Sequence, residues 1–216
     1  MNQRQAVKRR YRSPLRDSQA AATRLRVIEA ATRLFLDAGY GATSIDAIAQ
    51  AAGVSRATVF ATVGSKPALL KTAYDVAIVG DDEPIPLPER PESRAVRAEP
   101  DPRRYLERYA HLVMPLLARV APMYEAVRGA ASADPEVRPV WDKLQAERRL
   151  GAAHIVEDIA AKGGLRRGAD REALADAVWV LIEPGPYHQL VNGRGWTAER
   201  YEAWLASRLV HELLDG

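Results

Sequence analysis

From Ser18 to Ala38 the apolar residues Leu25, Ile28, Ala31, Leu34 and Phe35 recur at three- and four-residue steps. That spacing predicts an amphipathic helix stopped at Gly39, which takes a left-handed conformation freely. Two shorter patterns follow in the stretch Ser44 to Val63, SIDAIAQAAGVSRATVFATV. Ile45, Ile48 and Ala49 form the first; Val54 and Val59 form the second, after a glycine. Thr43 or Ser44 can cap the first of these short helices, and Ser55 the second. Ala49 stands where the two would pass closest. Gly53 stands at the bend, where a β-carbon would penalise positive φ, and Val59 fills the angle between them. Two short helices joined by a tight turn are the pattern of a helix-turn-helix. On the second of them Arg56, Ala57, Thr58, Ala61 and Thr62 remain to face outward. Ser65 offers a third cap, and Leu69, Leu70, Ala73, Tyr74 and Ala77 give the following helix its buried stripe, with Lys66 in its first turn.

Beyond residue 80 the pattern lapses. Residues 81–102, DDEPIPLPERPESRAVRAEPDP, are acidic and proline-rich and are expected to form a flexible linker. Helical spacing returns from Arg103 to about Val120 (Tyr105, Leu106, Tyr109, Leu112, Val113, Leu116), with Pro115 expected to bend it. A short helix is expected from Pro122 to about Ala131. Asp134-Pro135 should cap a long helix through Trp141, Leu144, Leu150, Ile155 and Ile159, ended at Gly163-Gly164. Two last helices are expected over 170–192, interrupted by Pro184-Gly185-Pro186, and over 197–214. No segment alternates as a strand, so the fold class is all-α: an N-terminal three-helix helix-turn-helix domain and a C-terminal helical bundle. The boundaries read as a basic arm over 1–17, a helix-turn-helix domain over 18–66, and the rest of the chain, 67–216, as the second domain.

Composition sharpens this picture at three points. The 216 residues and 47% apolar content support a substantial core, and there is no cysteine, which excludes disulfides, thiolate metal sites and cysteine nucleophiles. No apolar leader or spanning run is visible, so a cytoplasmic protein without membrane contact is expected. The net charge of +3 conceals an asymmetry: residues 1–80 hold 12 Lys and Arg against 5 Asp and Glu, net +7, whereas residues 81–216 hold 19 against 23, net −4. One part of the chain is suited to a polyanion and the other is not. Arg4, Lys8, Arg9, Arg10, Arg12 and Arg16 precede the first acid, Asp17. They read either as a solvated tail or as an arm that orders on DNA.

Leu34-Phe35, Gly39-Tyr40, Ile48-Ala49, Ala52 to Ser55, Phe60 and Ser65-Lys66 carry a family resemblance. The run from Gly39 to Leu70 closely resembles the DNA-binding domain of the TetR-type bacterial transcriptional regulators. It departs from their pattern at Phe60, where the family commonly has Tyr, at Val63, where it has an aromatic, and at Pro67, where Glu is frequent. Without a phenol, Phe60 reads as a packing residue. The candidate DNA-contacting residues are Thr43, Ser44, Ser55, Arg56, Ala57, Thr58, Thr62 and Lys66. The resemblance implies a regulator, most often a repressor, that binds a palindromic double-stranded operator as a homodimer through its last two helices. It further implies release by a small apolar ligand held in the C-terminal domain. Tyr105, Tyr109, Met123, Tyr124, Trp141, His154 and Trp179 are the candidate ligand-binding residues there, with plain core packing as the alternative for each.

Other chemistry is thinly represented. His111, His154, His188 and His211 are far apart, and His154 with Glu157 or Asp158 has metal-ligand spacing that any charged helix produces freely. No phosphate-binding glycine loop, nucleophile elbow or paired-histidine zinc motif occurs, so neither catalytic residues nor a metal or cofactor is expected. Two readings from other classes stay open: an enzyme or ligand carrier that retains a helix-turn-helix without using it on DNA, and a basic protein that coats DNA without sequence preference.

Overall fold

The computed structural model describes residues 14–214, with side chains from Ser18 onward; of the expected basic arm, residues 1–13 lie outside what is described and 14–17 belong to the first helix. Helix α1 (Pro14–Asp37) packs Val27, Ile28, Ala31 and Phe35 against α2 (Ile45–Ala52), α3 (Arg56–Val63) and α4 (Lys66–Val79). Leu25, expected in that stripe, is instead exposed, and Val27 takes the inward position. Ile45, Ile48, Ala49 and Val59 are buried as their spacing requires. Each short helix is closed by a side-chain oxygen: Ser44 accepts from the Ala47 N–H, Ser55 from Thr58 and Ser65 from Ala68. Gly53 ends α2 at φ 65° and ψ 39°, a left-handed conformation costing a non-glycine residue ~1–2 kcal/mol.

Residues 81–102, expected as a flexible linker, hold short regular elements in the structure. Their acidic start is fixed by Arg90, whose guanidinium donates to both carboxylate oxygens of Asp81 at 2.7 Å. A 3₁₀ turn (Leu87–Glu89) and helix α5 (Pro91–Arg97) follow, with Val96 buried where α5 meets the next helix. The prolines, read as marks of irregular chain, supply the fixed φ that opens both short elements.

Helix α6 (Pro102–Ala133) is one element of 32 residues rather than two. Pro115 and Pro122 each remove a backbone bond, at ~3 kcal/mol. Burial of Leu106, Val113, Leu117, Val120, Tyr124 and Val127 along the same helix returns ~1.5–3 kcal/mol apiece, so continuity wins. Asp134 does not open the following helix. It ends α6, and its carboxylate accepts from the Glu136 N–H, so that α7 (Arg138–Ala161) begins three residues later than expected. Then come α8 (Arg171–Leu181), capped by Asp170, the single turn α9 (Pro184–Tyr187), a π-helical turn (His188–Gly193), and α10 (Ala198–Leu213), capped by Thr197.

The bundle is built by α7 on α8, α4 on α6 and α10 on α6. Helix α10 turns Tyr201, Leu205, Leu209 and Leu213 inward, all fully buried within one protomer. The large apolar residues of this helix are thus committed to the chain's own core. Ala203, Ala206, Ser207 and Val210 line the outer groove of α10 instead. Among the described residues no strand forms, and no helix is long and apolar enough to cross a membrane.

Candidate DNA interface and cavity

With Val59 turned into the core, the eight residues of α3 present Arg56, Ala57, Phe60 and Ala61 to solvent. These fall on one face by their i, i+4 spacing. Arg56 is held by Asp46 of α2, its Nη1 donating to Oδ2 at 2.8 Å, and its guanidinium lies 5.6 Å from the centre of the Phe60 ring. Phe60 is 43% exposed, which corrects its reading as a packing residue. The missed signal was the spacing itself: a residue four positions from Arg56 shares its face.

The other expected contacts divide by position. Thr43 is only 3% exposed and donates from Oγ1 to the carbonyls of Leu34 and Gly39, so it fixes the α1–α2 turn and does not face outward. A threonine just before a helix reads equally well as a cap, which is why the sequence left it a candidate. Ser44 and Ser55 are exposed caps. Thr58 and Thr62 are half-buried, and Thr62 donates back to the Thr58 carbonyl. Lys66, in the first turn of α4, lays its ammonium 4.0 Å from the centre of the Tyr40 ring. Burial pushes the Tyr40 phenol up to about 12, and desolvation lowers the Lys66 pKa, Asp134 opposing it.

The C-terminal part holds a cavity of ≈ 800 Å³ between α4, α6 and α7. Val113, Leu116, Leu117 and Val120 of α6 form one wall and residues 81–88 close over another side. Of the seven expected ligand residues only Tyr109 lines it. Tyr105 is buried and donates to Asp158 at 2.9 Å, and Met123 is fully buried. Tyr124 donates to Glu183 and accepts from Gln145, with Trp141 packed on its ring. His154 is exposed on α7. Trp179 is half-buried, its indole N–H without a partner and its carbonyl bonded by Arg148 at 2.8 Å. Size and aromaticity marked these residues as candidates, but those properties fill a core equally well. The actual lining comes largely from α4 and from the acidic segment, neither of which stood out by composition as a pocket wall.

Arg24 of α1 ties this cavity to α3. Its Nη1 donates to the Thr62 carbonyl in the last turn of α3 at 2.8 Å, while Nε donates to Asp82 at 2.7 Å in the segment that covers the cavity. Arg119 of α6 holds the other end of α4, donating to the carbonyls of Ala77 and Ile78 at 3.1 and 2.9 Å.

Residues 27–73 match the model of the family described as bacterial regulatory proteins, tetR family. No curated protein matches the chain by sequence. Among solved structures, NalD from Pseudomonas aeruginosa, the secondary repressor of the MexAB-OprM multidrug efflux pump, is 20% identical at a TM-score of 0.68, covering 90% of this chain and 98% of its own. A TetR-family protein from Syntrophomonas wolfei is 18% identical at a TM-score of 0.68, over 86% of this chain and 92% of its own. A transcriptional regulator from Saccharomonospora viridis in complex with choline is 22% identical at 0.65, over 90% and 99%. At these identities the structural likeness speaks for the fold, and the sequence match speaks for the N-terminal domain. Residues 27–73 thus carry the tetR-family sequence pattern, and the chain as a whole shares the fold of these regulators.

Proposed function

We propose that the protein is a homodimeric repressor that reads a palindromic operator with α3 and leaves it when a small ligand fills the cavity behind the 81–88 segment. The exposed α3 face carries this reading. Arg56 is its long donor, suited to a bidentate contact with a guanine edge, and Ala57 and Ala61 leave room for a groove wall. The capped start of α4 adds a helix N-terminus and the Lys66 ammonium, a fit for backbone phosphate.

Release needs a path from cavity to α3, and Arg24 offers one in two hydrogen-bonded steps. A ligand that displaces residues 81–88 alters the hold of Asp82 on Arg24, and with it the seating of the last turn of α3. In a dimer the duplex fixes the two recognition helices about one turn apart, ~34 Å, so a small change in their separation is enough to favour one state. NalD is a repressor, and the Saccharomonospora viridis protein was solved with a small ligand; both accord with this reading.

The test is selection from a random duplex pool at physiological salt. Enrichment of one palindrome, retarded at ~10³-fold or greater preference over unrelated duplex, is the expected result. Retardation of every duplex alike would favour a coating protein, and none at all a carrier.

A further inference from the structure

The cavity carries information about its occupant. Arg148 of α7 reaches it with a guanidinium that has no carboxylate partner among the described residues. One of its nitrogens donates to Gln145 at 2.7 Å and another to the Trp179 carbonyl at 2.8 Å, and the Tyr124 and Trp179 rings flank it at 5.5 and 5.6 Å. Two phenols share the lining, Tyr74 of α4 and Tyr109 of α6, and neither hydroxyl has a hydrogen-bond partner among the described residues. Tyr74 is 2% exposed, and what remains open of it includes the hydroxyl, which can donate to an occupant of the cavity. Burial pushes both phenols upward and the Arg148 charge opposes it, so both are protonated donors at neutral pH.

The remaining charges at the cavity are largely matched. Lys71 bridges Asp75 and Glu147 at 2.6 and 3.0 Å, Arg24 holds Asp82 and Arg90 holds Asp81. The acids of 81–83 belong to the covering segment, whereas Val113, Leu116, Leu117 and Val120 of α6 form an aliphatic wall. An amphipathic cation would set like charge against the guanidinium, and a wholly apolar molecule would desolvate it and both phenols without recompense.

We infer that the cavity takes an amphipathic monoanion, a carboxylate on an aliphatic or aryl body, with Arg148, Tyr74 and Tyr109 donating to the carboxylate and the α6 wall covering the body. This rests on the reading of the cavity as the ligand site but not on the ligand's effect on DNA. A charge-assisted bond from Arg to carboxylate is stronger than a neutral one, which sets the expected discrimination.

Titration calorimetry on the full chain with decanoate, decanol and decyltrimethylammonium tests it. Decanoate should bind ~10-fold or more tightly than either of the others. Arg148→Gln should abolish that preference while leaving decanol unchanged. Because Arg148 also supports Trp179, the shape-conserving double variant Tyr74→Phe/Tyr109→Phe provides a second arm, expected to weaken decanoate several-fold and not decanol. Equal or tighter binding of the alcohol or the cation overturns the inference, as does binding of none of the three, or a preference that survives both variants. If decanoate binds as expected yet operator affinity is unchanged by it, the ligand class stands and the proposed release from DNA falls.

Discussion

Arg56 has two claims on its guanidinium. Its pair with Asp46 is exposed on both sides and contributes ~0.2–1 kcal/mol, whereas a bidentate contact with guanine is worth ~1–3 kcal/mol, so DNA wins and Asp46 serves to hold the side chain ready. Arg56→Ala is expected to lower operator affinity by ~1–3 kcal/mol and relax the preference at one base position in each half-site. Competition among single-base operator variants measures it, and an unchanged ranking would remove the base-reading role. Lys66 belongs to the opposite class. Lys66→Ala should weaken operator and unrelated duplex about equally and flatten the plot of log affinity against log salt by roughly one unit per half-site. A change in sequence preference would mean that it reads bases. Thr43 shows the limit at this scale: a hydroxyl before a helix can cap, hold a turn or meet phosphate, and only its burial beneath α1 decides for the turn.

At the scale of elements, the segment between α4 and α5 changes role most. By composition it is a solvated link; in the fold it closes one side of a cavity and bonds to Arg24. Proline and acidic residues resemble disorder unless their cationic partners are known, and Arg24 and Arg90 stand 58 and 9 residues from theirs. Asp82→Ala tests the link directly. The Arg24–Asp82 pair is partly exposed, so thermal stability should fall by no more than ~1 kcal/mol, while the loss of operator affinity caused by ligand should shrink severalfold. A variant with wild-type coupling would place the route elsewhere, through Arg119 and the far end of α4. The caps and bend of the helix-turn-helix, by contrast, were legible, because caps, a glycine bend and a close alanine are local requirements that spacing alone expresses. Helix α6 was misjudged at Pro122, read as the start of a separate helix, because the burial that outweighs its lost backbone bond is supplied by distant helices.

For the whole molecule, the all-α division into a helix-turn-helix part and a bundle followed from periodicity, but the cavity did not, since which aromatics face a void depends on how α4, α6 and α7 are set together. The face proposed for pairing was obscured for a related reason: the large apolar residues of α10 point inward, leaving small ones outside. Val180 on α8, 55% exposed, is the better probe of a subunit contact than Leu205 or Leu209. Val180→Glu with Ala203→Glu should yield folded monomers by sedimentation that bind operator weakly; an unchanged dimer would move the contact to another face.

The most direct test of the account is reciprocal linkage between its two sites. Affinity for the selected palindrome is measured by fluorescence anisotropy with and without saturating decanoate, and affinity for decanoate by calorimetry with and without saturating duplex. A coupling of ~1–3 kcal/mol predicts that each partner weakens the other by the same factor, ~5–150-fold. Decanoate that binds equally well to the free protein and to its DNA complex, with operator affinity unmoved, would contradict the account.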